Sequence, residues 1–318
     1  MRTVVVTGAS GYIGGQTAIF FHDQGWRVIG IDRQHPSTHL DGYFSKFMIS
    51  GFETKESLHM IEQTVPDAIV HCAGTSLVGP SVKDPAPYYE NNFVATKRLV
   101  DFLVDKKIKT KFIFSSSAAV YGEPVLTPCS EEDPTLPVSP YGESKLMIEM
   151  MCKSYSQAYD FEYTAFRYFN VCGADVQGRH GQEKNATHII ARVLEAICDN
   201  KQFTLHGNNY LTFDGTCVRD YVHVNDIARA HFLASKNSTV GVYNLGTGSG
   251  YSNQQVIDTA VQVTESDSLN VLVGPIREGD PAMLTCTAKS FEKETGWYPE
   301  YDLNSIISTA WKWHTREL

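Results

Sequence analysis

The chain has 318 residues, of which 42% are apolar and 20% charged, a composition typical of folded globular proteins that excludes intrinsic disorder. Its formal net charge is −9, so it lacks the broad basic surface that nucleic acids and anionic membranes require. A small anionic ligand remains compatible with this charge, because a few arginines can line one pocket. The sequence contains no run of about 18 apolar residues, so we predict no membrane span.

The seven cysteines are an odd number and include no C-x-x-C pair. A disulfide framework or a zinc ribbon needs closer, paired spacing. We therefore expect reduced thiols in a cytoplasmic protein, and no metal site. The acidic run at 131–133 is interpreted as a solvated loop rather than as a set of metal ligands.

The first half of the chain alternates short apolar segments with longer amphipathic ones. The first segment carries one positive charge and few apolar residues before a glycine turn, which is typical of a strand rather than of a secretion signal. Predicted strands span 3–7, 26–32, 68–71, 111–114 and 163–166. Predicted helices span 12–24, 54–64, 86–105 and 141–159. This alternation predicts an α/β fold, a doubly wound parallel sheet of Rossmann type with helices on both faces.

Three glycines stand three residues apart between the first predicted strand and the first helix: Gly8, Gly11 and Gly14. The first permits a tight turn, the second lets the backbone approach a pyrophosphate, and the third lets helix pack on strand. The helix N-terminus offers unpaired N–H groups and a positive dipole end to the anion. Ordinary turns also contain glycines, but the flanking strand, the helix and an acid 24 residues after Gly8 favour a dinucleotide site.

That acid is Asp32, at the end of the second predicted strand. A carboxylate there accepts both adenosine ribose hydroxyls and repels a 2′-phosphate, which favours NAD over NADP. Arg33 follows directly, and an arginine nearby is how NADP sites hold that phosphate. We interpret Arg33 as a solvated loop charge and expect NAD, an expectation that measured binding of both cofactors would decide.

Tyr141 and Lys145 are four residues apart at the start of a predicted helix, so they share one helix face. Tyrosine titrates near a pKa of about 10 and is a poor base at neutral pH. An ammonium about 5 Å away stabilises the phenolate by roughly 3 kcal/mol at an effective dielectric constant of about 20, which lowers the pKa by about two units. We therefore expect Lys145, with the positive nicotinamide ring, to lower the pKa of Tyr141 into the range of a general base. Tyrosine–lysine pairs at this spacing are also common on ordinary amphipathic helices, but the glycine turn earlier in the chain favours a catalytic pair here.

Three serines, Ser115 to Ser117, end the predicted strand at 111–114. Carboxyl ends of strands in doubly wound sheets face the ligand crevice. A serine there can hydrogen-bond a substrate hydroxyl or the catalytic tyrosine, although it can also satisfy loose backbone groups. We favour the functional role.

The second half of the chain is less regular. Prolines between 124 and 140 mark a long loop, and segments 171–188 and 207–217 are rich in Gly, Asn and Asp, which predicts loops. We interpret the chain as a dinucleotide-binding domain and a smaller C-terminal substrate-binding domain. The first comprises 1–170, with 220–248 returning to it, and the second comprises 171–219 and 249–318.

Seven motifs are spread over nearly the whole chain: G-A-S-G-Y-I-G, S-S-S-A-A-V-Y-G, S-P-Y-G-E-S-K, R-Y-F-N, V-R-D-Y-V-H-V, Y-N-L-G-T-G and R-E-G-D. At these motifs the sequence resembles the extended short-chain dehydrogenase/reductase family. The first and third motifs identify the superfamily. Jointly, the others resemble those of its nucleotide-sugar 4-epimerases.

The resemblance implies interconversion of UDP-glucose and UDP-galactose through a transient 4-keto sugar, with bound NAD. Tyr141 would remove the proton of the sugar 4-hydroxyl, Ser117 would bond the 4-oxygen, and Lys145 would also hold the nicotinamide ribose. Further positions that match cofactor contacts of the family are Tyr12, Ile13, Ala73, Gly74, Asn91 and Phe169. Positions that match its UDP contacts are Asn170, Ile189, Arg219, Arg277 and Asp280, and Thr204 and Leu284 are further candidate substrate contacts. His188 and His206 are candidate substrate contacts as well, but they stand where other members often carry Asn and Phe. Independently, Arg219 and Arg277 suit a diphosphate as forked donors.

Some positions depart from the family pattern. Ser76 stands where many epimerases have a lysine, and the acid usually found near the adenine is replaced around Gly51 and Phe52. Leu284 is intermediate between a bulky tyrosine, which excludes N-acetylated sugars, and a small residue, which admits them. The preferred sugar therefore stays open, the N-acetylated sugars included.

Two other functions stay open. A nucleotide-sugar dehydratase or decarboxylase also begins with hydride abstraction at C4, but dehydratases usually carry an Asp-Glu pair where this chain has Ala118 and Ala119. A non-catalytic NAD-binding regulator is disfavoured by the intact Tyr141 and Lys145. By family analogy, the helices at 86–105 and 141–159 would pair across a two-fold axis in a homodimer.

Overall fold

A parallel sheet forms the centre of the computed structural model, which describes residues 1–124, 126–184, 186–276 and 281–316. Within these residues the sheet has seven strands in the order β10-β6-β5-β4-β1-β2-β3. Their bounds are β1 (Thr3–Thr7), β2 (Arg27–Asp32), β3 (Lys46–Ile49), β4 (Ala68–His71), β5 (Lys111–Ser117), β6 (Tyr163–Tyr168) and β10 (Gly241–Leu245). Every neighbouring pair is parallel, so the predicted doubly wound sheet is confirmed. The strand order reverses between β1 and β4, the place where such sheets bind ligands.

Helices cover both faces of this sheet because its strands are apolar on both sides. Successive side chains of a strand point to opposite faces, so Val4 and Val6 enter one core while Val5 enters the other. The first core is covered by α1 (Tyr12–Asp23) and α8 (Val224–Lys236), which pack on each other. The second is covered by α2 (Lys55–Thr64), α5 (Ala95–Asp105) and α6 (Pro140–Ala158). Short helices α3 (Val78–Lys83) and α4 (Ala86–Tyr88) precede α5, which a π-helical stretch (Tyr89–Val94) joins to α4.

The second half builds smaller sheets at the carboxyl end of the main one. One contains β7 (Asn170–Cys172), β9 (Val218–His223), β11 (Gly250–Ser252) and β13 (Met283–Leu284), and a pair consists of β8 (Phe203–His206) and β12 (Val271–Gly274). Around them lie α7 (Ile189–Cys198), α9 (Asn253–Val263), α10 (Lys289–Thr295) and α11 (Leu303–His314). Of the predicted loops, 207–217 has no helix or strand, whereas the start of 171–188 belongs to β7. None of the helices in the described part of the chain is both long and apolar enough to cross a membrane.

The start of α6 is fixed by local chemistry. Ser139 caps the helix, since its hydroxyl accepts the N–H of Gly142 at 3.2 Å, and Pro140 supplies a backbone angle that suits the first helical position. This start places Tyr141 in the first turn, beside the carboxyl end of β5. A helix that began one turn later would carry the tyrosine away from that end.

A buried ion pair ties α6 to the main sheet. The Arg167 guanidinium on β6 bonds the Glu149 carboxylate on α6 at 2.7 Å, and both side chains are almost fully buried. Ser116 on β5 also donates to this carboxylate, and Arg167 donates to the Tyr121 hydroxyl at 2.9 Å. The pair thus joins α6 to two neighbouring strands at their carboxyl ends.

We expect Glu149→Ala to lower the free energy of unfolding by about 3–5 kcal/mol, because it leaves a buried guanidinium without its carboxylate. Urea unfolding followed by circular dichroism measures this change. Lys97→Ala is the matched control, since its ion pair with Asp101 lies on the exposed surface of α5 and its loss should cost less than about 0.5 kcal/mol. Equal losses in the two variants would contradict a structural role of the buried pair.

Candidate active site

The glycine turn between β1 and α1 is packed so tightly that side chains do not fit. Gly8 has a φ of +69°, and a Cβ there would lie 2.7 Å from the backbone nitrogen of Ala73. A Cβ on Gly14 would lie 2.1 Å from the carbonyl oxygen of Gly8. Gly11 caps α1 without a side-chain hydrogen bond, so the first-turn N–H groups face outward. The turn therefore has the cradle that a phosphate group needs.

A cavity of about 520 Å³ opens on one side of this turn. It lies between the turn, the end of β5 and the first turn of α6, as the sheet topology predicts. The predicted site residues that line it are Gly8, Gly11, Tyr12, Ile13, Gly14, Gly74, Ser117, Tyr141, Lys145, Phe169, Asn170 and His188. Predicted catalytic and cofactor-binding residues thus surround one space.

A second cavity of about 380 Å³ lies on the other side of the turn. Asp32, Ala73 and Asn91 line it, and Gly8, Gly11 and Gly74 line both cavities. The Asp32 carboxylate accepts the N–H of Ser10 at 3.1 Å and that of Gln34 at 2.9 Å. Two cavities that meet at a phosphate cradle, one of them with a fixed carboxylate, fit the two nucleoside halves and the pyrophosphate of a dinucleotide.

A third cavity of about 360 Å³ adjoins the first, and Asn170 and His188 line both. The other predicted residues that line it are Ile189, Thr204, His206 and Arg219. Leu284 lies beside Arg219 in the register of β13 with β9 and packs on the apolar cluster that contains Phe169. Arg277 and Asp280 lie outside the described residues.

Sequence reasoning missed Arg192, which also lines the third cavity. Its guanidinium lies 5.5 Å from the centre of the Phe203 ring. Arg192 stands four residues after His188, so the shared helical face was the available signal. Among the described residues, Arg192 is therefore a second guanidinium in this cavity beside the predicted Arg219.

His71 was missed as well, because a histidine within an apolar strand is usually a core residue. It is fully buried at the end of β4 and bonds the hydroxyls of Thr7 at 2.7 Å and Thr96 at 2.8 Å. Burial lowers the pKa of His71 to about 3, so the ring is neutral at physiological pH. The Thr7 hydroxyl in turn accepts the N–H of Ala73 at 3.3 Å, so His71 supports the floor of the glycine turn.

Lys145 lies one helical turn after Tyr141 and points into the same cavity. Its Nζ donates to the carbonyl oxygen of Ser115 at 2.8 Å and lies 5.8 Å from the centre of the Tyr141 ring. The side chain is almost fully buried, and burial lowers the pKa of Lys145 to about 8. The predicted juxtaposition of the two side chains is confirmed.

The predicted effect of Lys145 on Tyr141 is wrong for the chain by itself. Burial raises the pKa of Tyr141 above its ordinary value, and the neighbouring Tyr88 adds to this rise. The chain's own opposing contribution is a hydrogen bond with Ser117, and it is the smaller effect. The physical reason is that removing a phenolate from water costs more free energy than its neighbours contribute by stabilising the charge.

Arg33 lies in a loop with 54% of its side chain exposed, as the sequence suggested, but its guanidinium also has polar partners. Its guanidinium bonds the Glu53 carboxylate at 2.9 Å and the side-chain oxygen of Asn91 at 3.2 Å. Arg33 and Asn91 line the second cavity together with Asp32.

Comparison with known proteins agrees with this geometry. The profile of the NAD dependent epimerase/dehydratase family matches residues 4–246. The UDP-glucose 4-epimerase of Halalkalibacterium halodurans is 40% identical over 98% of this chain and 95% of its own length. A solved UDP-glucose 4-epimerase from Brucella ovis, in complex with NAD, is 35% identical with a TM-score of 0.92 and covers 98% of both chains. Another, from Bifidobacterium longum with NAD⁺ and UDP, is 31% identical with a TM-score of 0.88, over 99% of this chain and 98% of its own. The chain therefore belongs to the NAD dependent epimerase/dehydratase family.

Proposed function

We propose that the chain is an NAD-dependent nucleotide-sugar 4-epimerase that interconverts UDP-glucose and UDP-galactose. One observation carries this proposal. Tyr141, Ser117 and Lys145 line the first cavity, which together with the second cavity fits a dinucleotide. The same cavity adjoins the third cavity, which is lined by arginine. The similarity to UDP-glucose 4-epimerases over nearly the whole chain supports it.

The residues that would hold NAD come from the turn and the two cavities beside it. Gly8, Gly11 and Gly14 would receive the pyrophosphate, and Asp32 the adenosine ribose. Lys145 would hold the nicotinamide ribose. The remaining positions are Tyr12, Ile13, Ala73, Gly74, Asn91, Tyr141 and Phe169. When bound, NAD⁺ supplies a hydride acceptor and donor for sugar C4 and a positive charge near the phenol.

Tyr141 would act as the base and then the acid at the sugar 4-oxygen. Its phenol lines the 520 Å³ cavity together with Ser117 at the end of β5. Ser117 would hydrogen-bond the same sugar oxygen, so the proton would move a short distance between that oxygen and the Tyr141 phenol. Since the chain's own residues raise the pKa of Tyr141, a bound positive charge is needed to favour the phenolate.

The third cavity would bind the UDP part of the substrate. Arg219 is a forked donor suited to a diphosphate. Asn170, His188, Ile189, Thr204 and His206 would surround the nucleotide, and Leu284 the sugar. From the sequence alone, Arg277 and Asp280 would contribute too. In this arrangement 1–170 and 220–248 hold the cofactor, and 171–219 and 249–318 hold the substrate.

The rival functions are less well supported by the same cavity. Among the described residues that line the 520 Å³ cavity, none is an aspartate or a glutamate. Ala118 and Ala119 form a 3-10 turn after Ser117 where a dehydratase would have its acid and base. A non-catalytic regulator would not need Tyr141 and Lys145 aligned in the cavity.

We also propose a cytoplasmic homodimer. All seven cysteines are free in the structure, which supports a reducing compartment. Val82 on α3 and Met150 on α6 are large apolar side chains, 62% and 61% exposed. A second copy packed on α5 and α6 would cover such side chains.

Incubation of the purified protein with UDP-galactose tests the function directly. An epimerase yields UDP-glucose, a dehydratase yields a keto-sugar, and a regulator yields neither. Chromatography of the nucleotide sugars separates these outcomes. Absence of UDP-glucose would overturn the proposal.

Tyr141→Phe removes the group that carries the proton, so we expect turnover to fall at least about a hundredfold, the typical value of general acid–base catalysis. Tyr155→Phe is the matched control, because Tyr155 lies on the same helix but bonds Asp101 outside the cavity. Its turnover should stay within about twofold of the unmodified protein. Near-normal turnover of Tyr141→Phe would refute the role of the phenol.

The pH dependence of turnover tests the role of Lys145. Because burial lowers the pKa of Lys145 to about 8, its ammonium loses its proton as pH rises through that value. Loss of this proton removes the ammonium that would hold the nicotinamide ribose and thereby the positive ring beside the phenol, so turnover should fall above about pH 8. In Lys145→Arg the charge persists at every accessible pH, and this falling limb should move up by at least about one unit at a lower overall rate. An identical limb in both proteins would assign the ionisation to another group.

A further inference from the structure

The second cavity contains an arginine that the proposed function does not use, beside the carboxylate that it does use. Asp32 and Arg33 are neighbours in sequence and both line this cavity. Two backbone N–H groups hold the Asp32 carboxylate in place, those of Ser10 and Gln34. The adenosine ribose of a dinucleotide would meet this carboxylate, so a 2′-phosphate on that ribose would meet both charges.

Arg33 is held on two sides. Its Nη2 donates to Oε1 of Glu53 at 2.9 Å, and its Nη1 donates to Oδ1 of Asn91 at 3.2 Å. Asn91 is itself fixed, because its amide nitrogen donates to the Thr75 hydroxyl at 3.1 Å. Two of the five N–H donors of the guanidinium are thus engaged, and Glu53 and Asn91 set its position.

The surroundings of the Glu53 carboxylate favour its ion pair with Arg33. Its side chain is 15% exposed, against 54% for Arg33, and its second oxygen is buried without a hydrogen-bond partner among the described residues. The carboxylate lies over Gly51, in space that a side chain there would occupy, since a Cβ on Gly51 would come within 2.6 Å of it. Departure of Arg33 would leave a mostly buried negative charge unpaired, which is unfavourable.

A 2′-phosphate carries about −1.5 to −2 charges near neutral pH. In this cavity it would meet the Asp32 carboxylate, and it would have to compete with Glu53 for the one guanidinium beside that carboxylate. We propose that Glu53 is a residue that determines cofactor specificity: it holds Arg33 and thereby disfavours NADP. The inference rests on the dinucleotide site proposed above and adds a second carboxylate, 21 residues after Asp32, to the discrimination.

Competition between the two dinucleotides tests this inference. The purified protein is kept in an equimolar mixture of NAD⁺ and NADP⁺ until the bound composition is constant, then separated from free nucleotide. Acid releases the bound nucleotides, and mass spectrometry gives their ratio, which reports relative affinity without any activity assay. The unmodified protein should retain NAD.

Glu53→Ala releases Arg33 and should raise the bound NADP-to-NAD ratio about tenfold, the change that one charge-assisted hydrogen bond is worth. Glu53→Gln keeps the shape without the charge and should give a smaller gain. The gain should vanish in Glu53→Ala/Arg33→Ala, because Arg33 is the group that would bind the phosphate. Thermal unfolding and the amount of NAD bound confirm that each variant is folded.

Glu56→Gln is the matched control. Glu56 is an exposed acid in the first turn of α2, so its substitution removes the same charge nearby. Its ratio should equal that of the unmodified protein. An unchanged ratio in Glu53→Ala, or an equal gain in Glu56→Gln, would overturn the role of Glu53 while leaving NAD binding intact. Retention of neither dinucleotide by the unmodified protein would overturn the proposed function and this inference together.

Discussion

The proposed site depends on the hydrogen bond from the Lys145 ammonium to the Ser115 carbonyl oxygen. This bond joins the first turns of α6 to the end of β5. Tyr141 precedes Lys145 by one helical turn, and Ser117 follows Ser115 at the end of the same strand. Because the ammonium is buried, the carbonyl oxygen replaces the water that it loses. Helix and strand therefore bring the phenol and the serine hydroxyl together as consequences of one contact.

The same burial shifts both titratable groups toward their neutral forms. It raises the pKa of Tyr141 and lowers that of Lys145 to about 8. Burial of these groups opposes proton removal until a positive charge enters the cavity. In the proposed function that charge would be the nicotinamide of NAD⁺, so the phenol would become a base only when the hydride acceptor is bound. Proton removal and hydride abstraction are thereby confined to the same occupied site.

The sheet and the glycine turn could be predicted because they depend on local patterns, such as the glycine spacing before α1. Strand β3 was missed because it is only four residues long and lies partly exposed at the edge of the sheet. The shifted pKa of Tyr141 could not be predicted, since a helical spacing does not report how much water the fold removes. Likewise, the ion pair of Arg33 with Glu53 could not be predicted, because Glu53 is 20 residues away in sequence and meets Arg33 only through the fold.

The ionisation of Tyr141 in the NAD⁺-saturated protein tests this account most directly. Nuclear magnetic resonance of an isotope-labelled tyrosine ring, assigned with the Tyr141→Phe variant, follows the loss of the phenol proton as pH rises. The account predicts a pKa below the ordinary tyrosine value of about 10, because the bound positive charge outweighs the effect of burial. A phenol that keeps its proton to about pH 10 or beyond in the saturated protein would contradict it.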